Sequence, residues 1–204
     1  MSNKKSILVT GGAGFVASNL IKILLVKTKF NIISLDNYSS GFKKNHIKNK
    51  RIKYLKGETK NINSLIKNPK NIHSVFHFGE FARIYQSFLR MNECIESNTI
   101  GTNSVFNFCL ENRIKLIYSA TSATLGNKGN DKDLSPYAFT KAKNLELLEN
   151  LKRWFNFKYE VIYFYNVYGP GQITKGKMAT VIGIFEEAFK KGKPLPVVLP
   201  GTQT

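Results

Sequence analysis

The fold is decided by the stretch Ile7-Leu8-Val9-Thr10-Gly11-Gly12-Ala13-Gly14-Phe15-Val16-Ala17. Its pattern predicts a short buried strand, a glycine turn and the first turn of a helix. Gly11 permits the tight turn, and Gly14 leaves no side chain between the backbone and a bound phosphate. The helix that begins near Phe15 would direct its free N–H groups and positive dipole end at that anion. The stretch therefore predicts a pyrophosphate site, with an ordinary strand-to-helix turn as the alternative.

Composition indicates a globular protein, since 42% of the 204 residues are hydrophobic and 22% are charged. The length fits one domain, or one domain and the beginning of a second. No apolar run is long enough to span a bilayer, and residues 1–6 lead directly into the first strand, so we expect a cytoplasmic protein. Cys94 and Cys109 are isolated in the sequence, so we expect free thiols and no metal site.

The formal net charge of +18 raises the question of a polyanionic partner. The lysines are spread along the chain among many Asn, Ile, Phe and Tyr residues, and no nucleic-acid motif accompanies them. We therefore expect no nucleic-acid and no membrane partner. A basic polyanion-binding module stays open as an alternative hypothesis, and a phosphate-bearing substrate would also benefit from the field.

Strand and helix patterns alternate along the chain. Strands are expected at residues 7–10, 31–35, 52–55, 74–78, 116–119 and 160–165, and helices at 15–27, 62–67, 93–111, 136–155 and 179–191, with a loop reaching residue 135. This alternation predicts an α/β fold with a doubly wound, mostly parallel sheet and helices on both faces. Ligands of such sheets bind beyond the carboxyl ends of the strands. The residues of interest that end or follow strands are Gly11, Asp36, Gly79, Thr121 and Asn166.

Asp36 closes the second expected strand and indicates which dinucleotide is bound. A carboxylate there accepts hydrogen bonds from the adenosine ribose hydroxyls and repels a 2′-phosphate, which favours NAD over NADP. Lys43 and Lys44 lie nearby in the sequence and weaken this argument slightly. A simple turn-capping role for Asp36 is the alternative.

A second decisive stretch is Ser135-Pro136-Tyr137-Ala138-Phe139-Thr140-Lys141. Ser135 suits a helix N-cap and Pro136 the first helical position. Tyr137 and Lys141 are four residues apart and share one helical face. An ammonium beside a phenol favours the phenolate, so Tyr137 becomes a candidate base. A Tyr-x-x-x-Lys spacing is common by chance. The hydroxyl-rich segment 118–126, which follows the preceding strand, makes the functional interpretation of this spacing stronger.

Together these motifs resemble the extended short-chain dehydrogenase/reductase family, in particular its NAD-dependent nucleotide-sugar epimerases and dehydratases. The stretches that carry the resemblance are residues 10–17, 35–41, 77–79, 98–102, 121–126, 137–141 and 166–170. They occur in the order that the family shows and span nearly the whole chain. The resemblance implies a Rossmann sheet and NAD as the cofactor.

The resemblance also implies a role for each matching residue. Tyr137 would take the proton from a sugar hydroxyl as hydride leaves its carbon, Lys141 would support Tyr137 and hold the nicotinamide ribose, and Thr121 would hydrogen-bond the reacting oxygen. Thr121 and Asn166 would bind the nucleotide sugar, and Glu58 stands where the family has an adenine-contacting Asp. The residues implied to bind NAD are Gly11, Gly14, Phe15, Val16, Asp36, Asn37, Glu58, Phe78, Gly79, Asn98, Tyr137, Lys141 and Tyr165.

The residues after Thr121 indicate which reaction is favoured. The dehydratases of the family carry an Asp-Glu pair there, whereas this chain has Ser122 and Ala123, which favours an epimerase acting like a UDP-hexose 4-epimerase. We expect a role in surface-polysaccharide precursor synthesis and allow a homodimer. A dehydratase or decarboxylase of the same family stays open, as does a non-catalytic NAD-binding fragment.

Two departures from the family pattern affect these expectations. Gly79-Glu80 replaces a usual pair of small residues, which is expected to bring a carboxylate near the cofactor phosphates. The family normally continues for about another hundred residues, so we expect residues 1–170 to form the NAD-binding domain and 171–204 to begin a truncated substrate-binding region.

Overall fold

A computed structural model of the chain describes residues 5–176 and 179–197. Its strands are β1 (Ser6–Thr10), β2 (Asn31–Asp36), β3 (Ile52–Lys56), β4 (Ile72–His77), β5 (Lys115–Thr121) and β6 (Tyr159–Phe164). They form one sheet in the order β3-β2-β1-β4-β5-β6, and each neighbouring pair is parallel. This strand order is that of a dinucleotide-binding sheet, which confirms the predicted doubly wound fold.

The α-helices are α1 (Phe15–Lys27), α2 (Ile62–Leu65), α3 (Ile84–Leu89), α4 (Met91–Ile95), α5 (Thr102–Glu111), α6 (Pro136–Phe155) and α7 (Val181–Lys190). A π-helical segment, Glu96–Gly101, joins α4 to α5, so the run expected over residues 93–111 is helical throughout. Helix α3 was not expected, and two 3-10 helices, Ser122–Thr124 and Gly126–Asp133, replace the expected loop. These short elements lack a full apolar period, which is why the pattern missed them.

Helices cover both faces of the sheet because successive side chains of a buried strand point to opposite sides. Ile7 and Val9 of β1 pack with Ile21 of α1 in one cluster. Leu8, between them in the sequence, packs on the other face in a cluster that includes Phe106 of α5 and Leu148 of α6. Both faces of the central strand β1 are therefore covered, as the alternating pattern predicted.

The chain divides into two compact units, Met1–Tyr165 and Asn166–Thr204. The first contains the sheet and helices α1 to α6. In the second, Thr180 caps α7 by accepting a hydrogen bond from the Gly183 amide at 3.3 Å, and the Gln172 side chain donates to Glu186. The functional assignment of residues 1–170 and 171–204 stays a prediction, and part of the latter range lies outside the described residues. None of the helices in the described ranges is both long and apolar enough to cross a bilayer.

The glycine turn after β1 is held tightly between its neighbours. Gly11 has a φ of +69°, and its amide donates to the Leu35 carbonyl at 2.8 Å. A Cβ atom at this position would lie 2.6 Å from the Phe78 carbonyl oxygen. Only glycine fits both the left-handed backbone and the close approach of the segment after β4.

Replacing Gly11 with Ala is expected to lower the free energy of unfolding by about 3 kcal/mol or more, because backbone strain adds to overpacking. Gly129→Ala is the matched control, since Gly129 has a φ of +89° but nothing within 4 Å of an added Cβ. Its expected loss is about 1 kcal/mol, from the left-handed backbone alone. Urea unfolding of both variants measures the difference, and equal losses would contradict the packing argument.

Candidate active site

The predicted site residues of the first unit gather at the carboxyl edge of the sheet. Because the strands are parallel, Thr10, His77 and Tyr118 are neighbours in register across β1, β4 and β5. Gly11, Asp36, Gly79 and Thr121 end or follow strands at this edge, and Tyr165 follows β6. Asn166 belongs to the second unit, so its contact with a substrate stays a prediction.

The start of α1 fits the pyrophosphate of a dinucleotide. Gly14 precedes the helix, and no side chain caps it there. The amides of Phe15 and Val16 are among the first N–H groups of the helix, which have no partner within the helix itself. Any side chain at Gly11 would collide with the protein's own backbone. The uncapped helix end and the bare turn form a cradle for an anion.

Asp36 is buried and braces this cradle. Its Oδ2 accepts a hydrogen bond from the Ala13 amide at 2.9 Å, and its Oδ1 accepts one from the Tyr38 amide at 2.7 Å. Each carboxylate oxygen has a second lone pair, which suits a ribose hydroxyl. The turn-capping and ribose-binding roles of Asp36 are therefore compatible. Asn37 is exposed beside it, and its Oδ1 accepts a hydrogen bond from the Ser39 amide.

Glu58 and Asn98 occupy different environments. Glu58 follows β3 and forms an exposed ion pair with Lys60, 2.8 Å long. Asn98 is fully buried: its Oδ1 accepts from the Phe81 amide at 2.7 Å, and its Nδ2 donates to the Phe81 carbonyl at 3.1 Å and to Thr140 Oγ1 at 3.2 Å. Asn98 thus holds the segment after β4 against α6, while its contact with a cofactor stays a prediction.

Phe78 and Gly79 fix that segment to the glycine turn. The Thr10 hydroxyl accepts hydrogen bonds from the amides of Phe78 and Gly79 at 3.1 and 3.0 Å. A Cβ at Gly79 would lie 2.9 Å from the Gly11 nitrogen, so only glycine fits here without a shift of the backbone. The two turns that would face a dinucleotide are locked together.

Helix α6 presents Tyr137 and Lys141 on one face. Ser135 caps the helix by accepting from the Ala138 amide at 3.0 Å, and Pro136 occupies its first position, as predicted. The Lys141 ammonium donates to the Ser119 carbonyl of β5 at 2.5 Å, which binds the helix to the strand that ends at Thr121. The three predicted catalytic residues are therefore carried by two adjoining elements.

Glu80 lies in the protein interior beside Lys141, whereas the sequence predicted a carboxylate near the cofactor phosphates. Its side chain is only 2% exposed, and its Oε2 lies 2.5 Å from the Lys141 ammonium. The expectation of a carboxylate near the cofactor phosphates was wrong, because Glu80 is enclosed by hydrogen-bond donors of α5, β5 and α6. These donors are Thr102, Tyr118, Ser119, Lys141 and Asn144. The available sequence signal was a carboxylate at a position that the family gives to a small residue.

A chain of hydrogen bonds joins this buried pair to the glycine turn. The Thr10 hydroxyl already accepts two amide hydrogens, so it donates to Nδ1 of His77 at 2.7 Å. Nε2 of His77 then donates to the Thr102 hydroxyl at 3.0 Å, which donates to Glu80 at 2.9 Å. Burial lowers the pKa of His77 to about 4; the Glu80 charge opposes this shift, and the smaller effect of the Lys141 charge adds to it. The imidazole is therefore neutral at pH 7, as this series of hydrogen bonds requires.

Several other ionisable groups surround Tyr137 and Lys141. Burial raises the pKa of the Tyr118 phenol well above its usual value, and the Glu80 charge adds to the effect. Burial lowers the pKa of the Arg83 guanidinium, whose charge also interacts with Tyr137.

Cys94 and Cys109 are free, as expected. No cluster of three or more metal-ligating His, Cys, Asp or Glu side chains occurs in residues 5–176 and 179–197.

Comparisons with known proteins agree with this architecture. Residues 7–204 match the model of the NAD dependent epimerase/dehydratase family. The chain is 26% identical to an ADP-L-glycero-D-manno-heptose-6-epimerase of Brachyspira hyodysenteriae, over 94% of this chain and 64% of that protein. It is 28% identical to a putative UDP-glucose 4-epimerase of Methanocaldococcus jannaschii, over 97% of this chain and 67% of that protein.

A solved structure has the same fold. The UDP-glucose 4-epimerase of Thermotoga maritima, determined with UDP-glucose, superposes with a TM-score of 0.79 at 27% identity, over 92% of this chain and 64% of that one. Fold and cradle together define a dinucleotide-binding protein of the short-chain dehydrogenase/reductase type. The chain belongs to the NAD-dependent epimerase/dehydratase family, and NAD is the cofactor of that family. It spans about two thirds of the length of these relatives.

The neutral, buried state of His77 predicts a pH dependence of stability. The unfolded imidazole binds a proton below about pH 6.5, whereas the folded one resists until about pH 4, so stability falls as the pH drops through this window. The loss between pH 7 and 4.5 is expected to be about 2 kcal/mol. His77→Asn should remove this part of the pH dependence of the free energy of unfolding, measured in urea, while His73→Asn, at an exposed position of β4, should retain it. The same dependence of the unfolding free energy on pH in all three proteins would contradict the neutral state of the folded His77 imidazole.

Proposed function

We propose that the chain carries the NAD-binding and catalytic residues of a nucleotide-sugar epimerase that acts on a UDP-hexose at C4. Residues 1–170 would bind NAD, and residues 171–204, with Asn166, would begin the region that binds the nucleotide sugar. The observation that carries the proposal is the placement of Tyr137 and Lys141 on one face of α6, attached through Ser119 to the strand that ends at Thr121.

The residues suggest how the reaction would proceed. Tyr137 accepts the proton of the sugar hydroxyl while the Thr121 hydroxyl orients the reacting oxygen. NAD, when bound, would supply a reversible acceptor for the hydride that leaves the carbon bearing this hydroxyl. After the keto sugar has turned, the hydride returns to the other face of that carbon while Tyr137 returns the proton to the oxygen, so the configuration at that carbon is inverted.

The segment after Thr121 supports an epimerase over a dehydratase. Elimination of water needs an acid to protonate the leaving hydroxyl and a base to remove a carbon-bound proton. Ser122 and Ala123 follow Thr121 and provide neither group. Two relatives named as epimerases support the same choice. A dehydratase or decarboxylase of the family is the alternative, and it would require a different acid elsewhere in the protein.

A non-catalytic NAD-binding protein is the second candidate, and the Glu80–Lys141 contact is the observation that favours it. Lys141 already donates to Glu80 and Ser119, so it is less available to a nicotinamide ribose than the resemblance implies. A position in surface-polysaccharide precursor synthesis and assembly as a homodimer are further parts of the proposal. Exposed apolar side chains on the helices at residues 91–111 and 136–155, among them Ile100 and Phe139, support the homodimer.

Tyr137→Phe is expected to lower turnover of UDP-galactose and UDP-glucose by about a thousandfold, because a general acid/base contributes on this scale. NAD binding should persist, since the phenol hydroxyl is one contact among many. Tyr85→Phe, which removes a hydroxyl from an exposed tyrosine on α3, is the matched control and should turn over like the wild type.

Two readouts separate the candidates: NAD binding by calorimetry, and the absorbance of reduced nicotinamide after addition of a UDP-hexose. Binding with transient reduction supports the epimerase. Binding without reduction or turnover supports the non-catalytic protein, and turnover unaffected by Tyr137→Phe contradicts the proposed mechanism.

A further inference from the structure

Glu80 forms a buried charge site of its own. The carboxylate is 2% exposed and its partner Lys141 is 4% exposed, so both charges lie in the interior. Oε1 accepts from Thr102 at 2.9 Å, from Tyr118 at 3.1 Å and from Asn144 at 3.3 Å. Oε2 accepts from Ser119 at 3.3 Å and from Lys141, so five donors face a carboxylate with about four lone-pair positions.

The donors of Lys141 are likewise directed at the protein. An ammonium has three N–H groups. The Lys141 nitrogen lies 2.5 Å from Glu80 Oε2, 2.5 Å from the Ser119 carbonyl and 3.4 Å from the Ser119 hydroxyl. It also lies 4.8 Å from the centroid of the Tyr118 ring. The ammonium is thus fixed between a strand and an opposite charge.

The pair changes the field that Lys141 exerts on Tyr137. A lone positive charge near a phenol favours the phenolate. A carboxylate held against that charge opposes the effect, because the two fields partly cancel. Lys141 paired with Glu80 therefore acts on the phenol more weakly than an isolated ammonium would.

We infer that Glu80 is a positioning residue that neutralises Lys141 and fixes its ammonium against Ser119, so that Lys141 acts as half of a buried ion pair. The consequence for catalysis rests on the proposed function. The electrostatic effect on the Tyr137 phenol does not depend on that proposal, because it exists in the protein without any substrate.

His77 is neutral at pH 7 and burial keeps the Tyr118 phenol neutral, so neither changes charge as Tyr137 titrates. Burial raises the pKa of the Cys94 thiol to about 11, which lies within the range of a phenol titration, so every protein compared also carries Cys94→Ser. The Arg83 guanidinium is charged and contributes equally to every variant compared. Differences at Tyr137 can therefore be assigned to Glu80 and Lys141.

The test is an NMR titration of the chain with tyrosine labelled at its ζ carbon, in which Tyr137→Phe identifies the signal of Tyr137. In Glu80→Gln, the midpoint of the Tyr137 titration should fall by about one to two pH units, because the ammonium is no longer opposed. Glu93→Gln, which removes a carboxylate from an exposed ion pair with Arg90, is the control and should leave the midpoint unchanged.

The double variant Glu80→Gln/Lys141→Met decides the question even where Glu80→Gln fails to fold, since it leaves no lone buried charge. The inference predicts that its midpoint lies within about half a unit of the wild type. A rise of about two units would mean that Lys141 acts as an isolated cation, and would overturn the inference. An unchanged midpoint in folded Glu80→Gln would overturn it equally. Absence of turnover would count against the proposed function alone.

Discussion

The buried ion pair between Glu80 and Lys141 is the constraint on which the rest of the site depends. Moving two charges out of water costs several kcal/mol for each, and their attraction offsets this only when hydrogen bonds satisfy the remaining lone pairs and protons. Thr102, Tyr118 and Asn144 provide those bonds from α5, β5 and α6. Satisfying the pair therefore fixes the position of α6, and with it the candidate base, against the end of β5.

The same constraint connects the two halves of the site. Thr10 precedes the glycine turn, and its hydroxyl leads through His77 and Thr102 to Glu80. Each hydrogen bond in this series can be donated in one direction only, because the Thr10 hydroxyl already accepts from backbone amides. The cradle for the dinucleotide and the helix that carries Tyr137 are thus parts of one buried polar network. Such networks are rigid when every member is satisfied.

Local sequence signals were sufficient for the elements that frame the site. Helices α1 and α6 have the expected bounds because glycine and proline mark their starts, and Asn156 in a left-handed conformation ends α6. The alternation of elements predicted the parallel sheet. The partner of Glu80 was not predictable in this way, because Lys141 is 61 residues away and no local pattern encodes a pairing across the core. Helix α3 was missed because six residues are too short to show an apolar period.

Glu80 and Lys141 stabilise the fold only as a pair, and a double-mutant cycle on unfolding tests this dependence most directly. Urea unfolding at pH 7 would compare the wild type, Glu80→Gln, Lys141→Met and the double variant. Each single change strands a buried charge and should cost about 3 kcal/mol, while the double variant should cost little more than either one, giving a coupling of about 3 kcal/mol. Additive losses, with a coupling below about 0.5 kcal/mol, would contradict the account.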